Sequence, residues 1–141
     1  MYHYRHSRKV YAKHNKNDAH VEGCNFCVEE TLANKIDENE HAYIVRNRVS
    51  YDVFEGKEVL EHLLLVPKRH VESLAELKND EKIAILDMMG KYETDGYSVY
   101  ARSVDSSTRS VKHQHTHLLK QKQSQARLLV YIKKPYTLIK F

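Results

Sequence analysis

Three histidines alternate with single residues in the stretch VKHQHTHLL, which makes this stretch the first candidate for chemistry. In an extended strand, successive side chains point to opposite faces, so the spacing predicts that His113, His115 and His117 share one face. Gln114 and Thr116 are then expected on the other face. Several imidazoles buried side by side are costly unless hydrogen bonds or a metal fix their protonation. The stretch therefore indicates either a row of metal ligands or a nucleophile with helper groups.

A second group of candidate ligands is the pair of cysteines in CNFC, Cys24 and Cys27. Two intervening residues are the usual spacing between cysteine ligands of zinc, and one or two histidines would complete a tetrahedral site. The number of cysteines excludes a disulfide framework. In a cytoplasmic protein the pair favours a metal site or a redox pair over a structural disulfide.

Two further histidines flank an apolar stretch in EHLLLVPKRHVESL. His62 opens the stretch, and His70 follows it just beyond Pro67. Either histidine alone is more typical of a solvated or core residue, so each gains functional meaning only in combination with the other motifs.

Length and composition describe one soluble domain. The 141 residues are enough for a single core and too few for two comfortable ones. Hydrophobic residues make up 41% and charged residues 30% of the chain, and the mean hydropathy is −0.68. No apolar run approaches the roughly 20 residues that span a bilayer, and the polar, basic start of the chain has no signal-peptide core. These features predict a cytoplasmic protein without a membrane partner.

The charge balance favours anionic partners without naming one. The net charge is +4, yet Lys and Arg are interleaved with Asp and Glu along most of the chain. This balance suits a phosphorylated small molecule as well as a nucleic acid. Tyrosines at positions 2, 4 and 11 leave stacking on bases open, but the aromatic and basic pattern of an RNA-binding sheet motif is missing. Nucleic acid is therefore the least favoured partner.

Two parts of the chain differ in pattern. Residues 1–20 are rich in His, Lys, Tyr and Asn without apolar periodicity and are predicted to be a flexible basic extension. Ile83, Leu86 and Met89 have helical spacing and predict an amphipathic helix over residues 80–92, capped by Asn79. Apolar alternation and β-forming residues predict strands at about 41–47, 50–54, 61–67, 97–103, 113–120, 127–132 and 136–140.

The motifs CNFCVEE, HLLLVPKRHVESL and SVKHQHTHLL follow one another between about residues 24 and 120. In this order they resemble the histidine triad (HIT) superfamily of nucleotide hydrolases and transferases, and most closely its zinc-binding branch. The resemblance implies a HIT-like domain over residues 21–141. Its fold class would be α+β, with an antiparallel β-sheet and packed helices. It also implies a homodimer that pairs through the helix and a sheet edge.

The resemblance implies a role for each matching side chain. Cys24, Cys27, His70 and His113 correspond to the ligands of a zinc site. Since four protein ligands leave no open position, that zinc would be structural. The remaining residues of the triad would then serve the reaction.

His115 corresponds to the nucleophile of the family, which attacks the α-phosphorus and forms a covalent nucleotidyl-histidine. His117 would donate to the phosphate oxygens, and His62 would assist the leaving group or position the phosphate. Ser110 matches a residue that donates to the phosphate, and Asn47 matches a strand-end residue that binds the ribose hydroxyls.

The loop before the triad, RSVDSSTRSVK, departs from the family because it contains no glycine. Arg109 stands where relatives have Gln, and Arg102 stands where they commonly have Asn or Gln. Two guanidinium groups would suit a polyphosphate chain, although both could also be solvated loop residues. The segment between Asn47 and His62 is longer than in compact relatives and could form a hairpin at the mouth of the site.

These observations favour an enzyme, a nucleotide phosphate hydrolase or nucleotidyl transferase acting through His115. Its substrate would be a nucleotide or dinucleoside polyphosphate. The alternative is a zinc-stapled nucleotide-binding module with little or no turnover, which the glycine-free loop keeps open. A third reading treats the basic extension as a nucleic-acid contact.

Overall fold

The computed structural model describes residues 23–125. Among them are two α-helices, α1 (Glu29–Ala33) and α2 (Asn79–Thr94), and a short 3₁₀ helix at Leu74–Glu76. The strands are β1 (Lys35–Glu38), β2 (Ala42–Arg46), β3 (Val53–Phe54), β4 (Lys57–Pro67), β5 (Tyr97–Ala101) and β6 (Thr116–Gln125). No helix in this part of the chain is both long enough and apolar enough to cross a membrane.

The strands form one antiparallel sheet in the order β1-β2-β4-β6-β5, with β3 paired to the beginning of β4. β4 and β6 lie in the middle, so both are paired on either side. Helix α2 packs against β2, β4 and β5. The predicted α+β class, with an antiparallel sheet and packed helices, is confirmed.

The two faces of the sheet have different partners, which follow from the alternation of side chains along each strand. On one face Ile44, Leu63 and Leu118 pack beneath helix α2. On the other face Tyr43 and Leu64 pack with Cys24 and Phe26 of the cysteine loop (residues 24–27), which precedes α1. His62 and His117 lie on this second face. His117 pairs with Leu64, and His62 is two residues before Leu64 on the same strand.

The buried face of α2 differs from the prediction. Ile85, Met88 and Tyr92 face the sheet, whereas Ile83 and Leu86 are 61% and 63% exposed. Both sets have helical spacing, so periodicity alone could not choose between them. The buried face is the one that begins with Glu81, whose carboxylate has polar partners.

Glu81 is buried because it has strong partners at the start of α2. Its carboxylate accepts hydrogen bonds from the Arg69 guanidinium at 2.6 and 2.8 Å and from the Lys78 backbone N–H at 2.7 Å. The Arg69 side chain, followed by the Lys78 backbone, lowers the pKa of Glu81 to about 2. Lys78, not Asn79, is the residue that caps the helix.

Several predicted strands are confirmed with changed bounds. The strand predicted at 50–54 is reduced to β3, because Glu55 and Gly56 have φ values of 50° and 74° and form a tight hairpin turn into β4. The predicted strand at 113–120 begins only at Thr116. Before it, the Gln114 N–H donates to the Val71 carbonyl at 2.7 Å, so the chain leaves the sheet ladder at this point. The predicted strands at 127–132 and 136–140 and the extension at 1–20 lie outside the described residues.

Candidate active site and metal centre

Two loops and the segment just before β6 bring two cysteines and two histidines together. Cys24 and Cys27 are joined by a tight turn in which the Cys27 N–H donates to the Cys24 carbonyl at 2.8 Å. His70 comes from the loop after β4, and His113 lies three residues before β6. The four ligand atoms all lie within 4.8 Å of one another. The group is close enough to hold a metal ion.

The distances within this group fit tetrahedral coordination. The Nδ1 atom of His113 lies 3.4 Å from Cys24 Sγ and 3.5 Å from Cys27 Sγ, and His70 Nδ1 lies 3.6 Å from Cys27 Sγ. Metal bonds of about 2.3 Å to sulfur and about 2.0 Å to nitrogen place these atoms about 3.5 Å apart in a tetrahedral zinc site. The donor set and its spacing therefore fit zinc.

The protonation of His113 suits a metal ligand, whereas the two thiols need the charge of a bound cation to ionise together. His113 Nε2 lies 3.0 Å from the Pro67 carbonyl, so it donates to that oxygen and directs the Nδ1 lone pair toward the cysteines. Burial, together with the nearby His70, lowers the pKa of His113 to about 4 and keeps its ring neutral. Burial and the adjacent Cys24 raise the pKa of Cys27 to about 11, because two thiolates side by side need a cation between them.

A cavity of about 520 Å³ opens beside the metal group, and both His115 and His117 line it. His115 Nδ1 lies 2.8 Å from the carbonyl oxygen of His113, so Nδ1 carries the proton and donates. The lone pair is then on Nε2. Burial lowers the pKa of His115, which keeps the imidazole neutral. The Phe26 ring packs on His115 with centroids 5.1 Å apart, so the cysteine loop also forms a wall of the cavity.

His117 has the opposite tautomer, and a chain of hydrogen bonds fixes it. The Tyr51 backbone N–H donates to His62 Nδ1 at 3.1 Å, which places the His62 proton on Nε2. His62 Nε2 lies 2.8 Å from His117 Nδ1 and donates to it. His117 therefore carries its proton on Nε2, the atom that lies 3.4 Å from the Tyr51 hydroxyl. Burial, and then His62, lowers the pKa of His117 to about 2.

Of the remaining predicted site residues, four line the cavity and one lies outside it. Asn47, Ser110, Arg102 and Arg109 line the same cavity as His115, whereas His62 does not and lies behind His117. The Asn47 amide is engaged within the chain: Oδ1 accepts from the Val49 N–H at 3.1 Å, and Nδ2 lies 3.2 Å from His62 Nδ1, the acceptor nitrogen of that ring. Ser110 is exposed at the rim.

The two arginines of the glycine-free loop have different partners. Arg109 donates to three backbone carbonyls, those of Glu72 at 2.6 Å, Val111 at 3.2 Å and Lys112. Only its Nη1 is buried without a hydrogen-bond partner among the described residues. Arg109 thus connects the loop after His70 with the segment before His113.

We expect Arg109→Gln to lower the melting temperature by several degrees, because carbonyl oxygens in the loop lose a charged donor. Arg46→Gln is the matched control, since Arg46 also lines the cavity but its side chain is 72% exposed and, within residues 23–125, forms an ion pair with Glu61 alone. Thermal unfolding followed by circular dichroism checks both. Equal melting temperatures for wild type and Arg109→Gln would show that the carbonyl contacts contribute nothing.

Two residues of the site were not anticipated from the sequence. Phe26, an intervening residue of CNFC, is buried against His113 and His115. Tyr51 lies in the long segment between Asn47 and His62, and its ring lies 4.3 Å from His62 and 5.4 Å from His117. An aromatic residue in a long segment between two site residues was the only available signal for Tyr51.

The sheet, the packed helix and the histidine cluster together form the fold of histidine triad proteins. Three solved structures illustrate the likeness. A HIT family hydrolase from Clostridium thermocellum has 18% identity and a TM-score of 0.56, covering 77% of this chain and 99% of the other. A histidine triad nucleotide-binding protein from Candida albicans has 20% identity and a TM-score of 0.54, covering 82% and 87%. A histidine triad protein from Clostridium difficile has 21% identity and a TM-score of 0.53, covering 79% and 98%.

At these identities the likeness concerns the fold, and it confirms at that level the resemblance found in the sequence motifs. Comparison of the sequence with models of known families and with curated proteins gives no match. The assignment of roles to individual side chains therefore depends on the geometry of this chain.

Proposed function

We propose that this protein is a HIT-type enzyme, a nucleotide phosphate hydrolase or nucleotidyl transferase that acts through a covalent intermediate on His115. One observation carries the proposal: the hydrogen-bond geometry of two histidines in the same cavity assigns them opposite tautomers. His115 keeps a lone pair on Nε2, and His117 keeps a proton on Nε2. A nucleophile beside a hydrogen-bond donor is the arrangement that displacement at phosphorus requires.

The proposed reaction has two displacements at the α-phosphorus. In the first, the Nε2 lone pair of His115 forms a bond to phosphorus, and the bond to the leaving group breaks with its electron pair. His117 Nε2–H donates to a phosphate oxygen as negative charge develops. In the second, water or another hydroxyl acceptor attacks phosphorus and loses its proton to the solvent, and the phosphorus–nitrogen bond breaks with its electrons returning to His115.

His62 acts as a positioning residue in this scheme. It lies outside the cavity, and its Nε2–H fixes the tautomer of His117 at 2.8 Å. Without it, His117 could carry its proton on Nδ1 and would face the phosphate with a lone pair. Ser110 at the rim is a second proposed donor to the phosphate, and Asn47 is the proposed contact to the ribose.

We propose a nucleotide or dinucleoside polyphosphate as the substrate. The cavity of about 520 Å³ is within the range of small-molecule sites. The lining combines apolar residues such as Val45 and Ile36 with four arginines, Arg46, Arg48, Arg102 and Arg109. The apolar residues suit a nucleoside, and the arginines suit its phosphates.

Cys24, Cys27, His70 and His113 would hold a structural zinc ion. With four protein ligands the ion would brace the cysteine loop against the segment that carries His115, and it would leave no position for substrate. Unbridged cysteines of this kind are typical of a reducing compartment, which supports the cytoplasm as the proposed location.

The reaction is tested by incubating the purified protein with a panel of substrates and separating the products by chromatography. The panel contains a dinucleoside polyphosphate, a nucleoside phosphoramidate, an adenylylated small molecule and a nucleotide sugar. We expect release of a nucleoside monophosphate from at least one of them. Binding of the panel without any product would instead favour the zinc-stapled binding module.

We also propose a homodimer, and the exposed apolar residues of α2 support it. Ile83 and Leu86 project from the helix face opposite the sheet, where large apolar side chains gain little in a monomer. Ile83→Lys is expected to convert a dimer into a monomer in size-exclusion chromatography with light scattering. Glu29→Lys, at an exposed position of α1, is the control and should leave the mass unchanged. A monomeric wild-type protein would contradict the proposal.

A further inference from the structure

The cysteine loop has two hydrogen bonds within itself. The Cys27 N–H donates to the Cys24 carbonyl at 2.8 Å and closes the turn. The Phe26 N–H donates to Cys24 Sγ at 3.4 Å, so a backbone dipole points at one of the metal-ligating sulfur atoms. Neither bond reaches outside the loop, so the position of the loop relative to the histidine ligands depends on other contacts.

The Tyr43 hydroxyl supplies such a contact from strand β2. The side chain of Tyr43 is fully buried, and its hydroxyl donates to the Phe26 carbonyl. That carbonyl belongs to the same peptide group as the Cys27 N–H, which closes the turn. The two hydrogen bonds therefore form a chain through one peptide group and fix its plane. Since Tyr43 pairs with Val66 in the sheet, the chain ties Cys27 to the strand that precedes His70.

A second hydroxyl, that of Thr31 in α1, holds the preceding peptide group of the loop. Thr31 is buried, and its Oγ1 donates to the Asn25 carbonyl at 2.7 Å and accepts from Arg48 Nη2 at 3.4 Å. The Asn25 carbonyl shares a peptide group with the Phe26 N–H, the donor to Cys24 Sγ. Each of the two peptide groups that flank Phe26 is thus held by one buried hydroxyl.

Hydrogen bonds of this kind act on a metal site through the groups that carry its ligands. A loop whose peptide planes are fixed loses less conformational freedom when its thiolates bind a cation. Contacts behind the ligands also orient them, and losing one such contact typically lowers metal affinity by about 10- to 100-fold. The two hydroxyls therefore have the location that a supporting shell for the cysteine ligands requires.

We propose that Tyr43 and Thr31 are positioning residues of the metal centre: their hydroxyls fix the cysteine loop and thereby hold its two sulfur atoms in place for zinc. Tyr43 acts from the sheet, and Thr31 acts from α1. The inference rests on the zinc site of the proposed function and is independent of the reaction at His115.

Tyr43→Phe keeps the ring and removes the hydroxyl, and Thr31→Val keeps the branched shape and removes the hydroxyl. Competition with a chromophoric chelator measures the dissociation constant of zinc for wild type and variants. We expect each variant to raise this constant by about tenfold. Tyr97→Phe is the matched control, because Tyr97 is a buried tyrosine on the sheet face beneath α2 and its hydroxyl donates to Glu61. It should leave the zinc dissociation constant at the wild-type value.

Melting temperatures of the zinc-loaded and the chelated protein separate the positioning of the ligands from general stability. Tyr43→Phe should lower the melting temperature of the loaded form by more than that of the chelated form, because the loaded form loses zinc affinity as well as a hydrogen bond. Tyr97→Phe should lower both by the same amount. Thr31→Val tests the inference independently if Tyr43→Phe does not fold.

A wild-type zinc dissociation constant in either folded hydroxyl variant, or an equal rise in Tyr97→Phe, would overturn the inference. A wild-type protein that binds no zinc would refute the proposed metal site and the inference with it. Weakened zinc binding in both hydroxyl variants of a protein without turnover would refute the proposed reaction alone and leave the inference standing.

Discussion

His115→Asn is expected to lower turnover by at least about 10⁴-fold, because it removes the nitrogen that would form the covalent bond to phosphorus. Zinc content and melting temperature should stay at wild-type values, since His115 contacts the metal group only through the backbone of His113. Steady-state kinetics with a substrate from the panel, metal analysis and thermal unfolding measure the three properties on the same preparation.

The neighbouring histidines provide the matched controls for this prediction. His117→Gln removes one donor to the phosphate and should cost about 10²-fold in kcat, less than loss of the nucleophile. His113→Asn should reduce zinc content and stability together with activity. If His115→Asn lost its zinc, or kept wild-type turnover, the histidine row would have to be reinterpreted as a metal-binding segment.

Cys24→Ser should lower the melting temperature by about 10 °C or more, because it removes one of four ligands from an ion that ties two loops together. Wild-type protein should carry about one zinc per chain, and the variant much less. Differential scanning calorimetry and metal analysis measure the two effects, and chelation of the wild type should reproduce the loss of stability.

A surface histidine outside the metal group provides the control for Cys24→Ser. His41 lies near the start of β2, next to Asp80, and its side chain is 25% exposed. His41→Gln should leave zinc content unchanged and shift the melting temperature only slightly. Full thermal stability in metal-free wild-type protein would contradict the proposal that zinc stabilises the fold.

Much of the fold was predictable because local patterns and tertiary structure agree. The apolar run LLLVP forms the end of β4 and is buried on both faces, and the two-residue spacing of His115 and His117 does place both side chains in one cavity. The ordered motifs also predicted that Cys24, Cys27, His70 and His113 would meet, which no single spacing could show.

Other features depend on contacts between distant segments and leave little trace in local sequence. The burial of Ile85 rather than Ile83 follows the pairing of Glu81 with Arg69, twelve residues earlier. Strand β6 begins later than predicted because the Gln114 N–H donates to the Val71 carbonyl and not to a neighbouring strand. The different partners of Arg102 and Arg109 depend on where hydroxyl and carbonyl groups of other loops happen to lie.

Tyr51 shows the same limit within the site. Its importance comes from two neighbours far along the chain, Arg102 and His117, and from a backbone N–H whose direction no side-chain pattern encodes. A long segment between β2 and β4 predicted an altered cavity mouth, but not which of its residues would reach the histidines.

The most direct test of the covalent route is to trap the intermediate. Wild-type protein would be mixed with a turned-over nucleotide, quenched within milliseconds to seconds, and analysed by intact mass spectrometry and by mapping of the peptide that contains VKHQHTHLL. We predict one nucleotidyl group per chain, attached to His115, in wild type and His117→Gln and absent from His115→Asn. Product release without any trapped adduct, together with an unchanged rate in His115→Asn, would contradict the proposed chemistry.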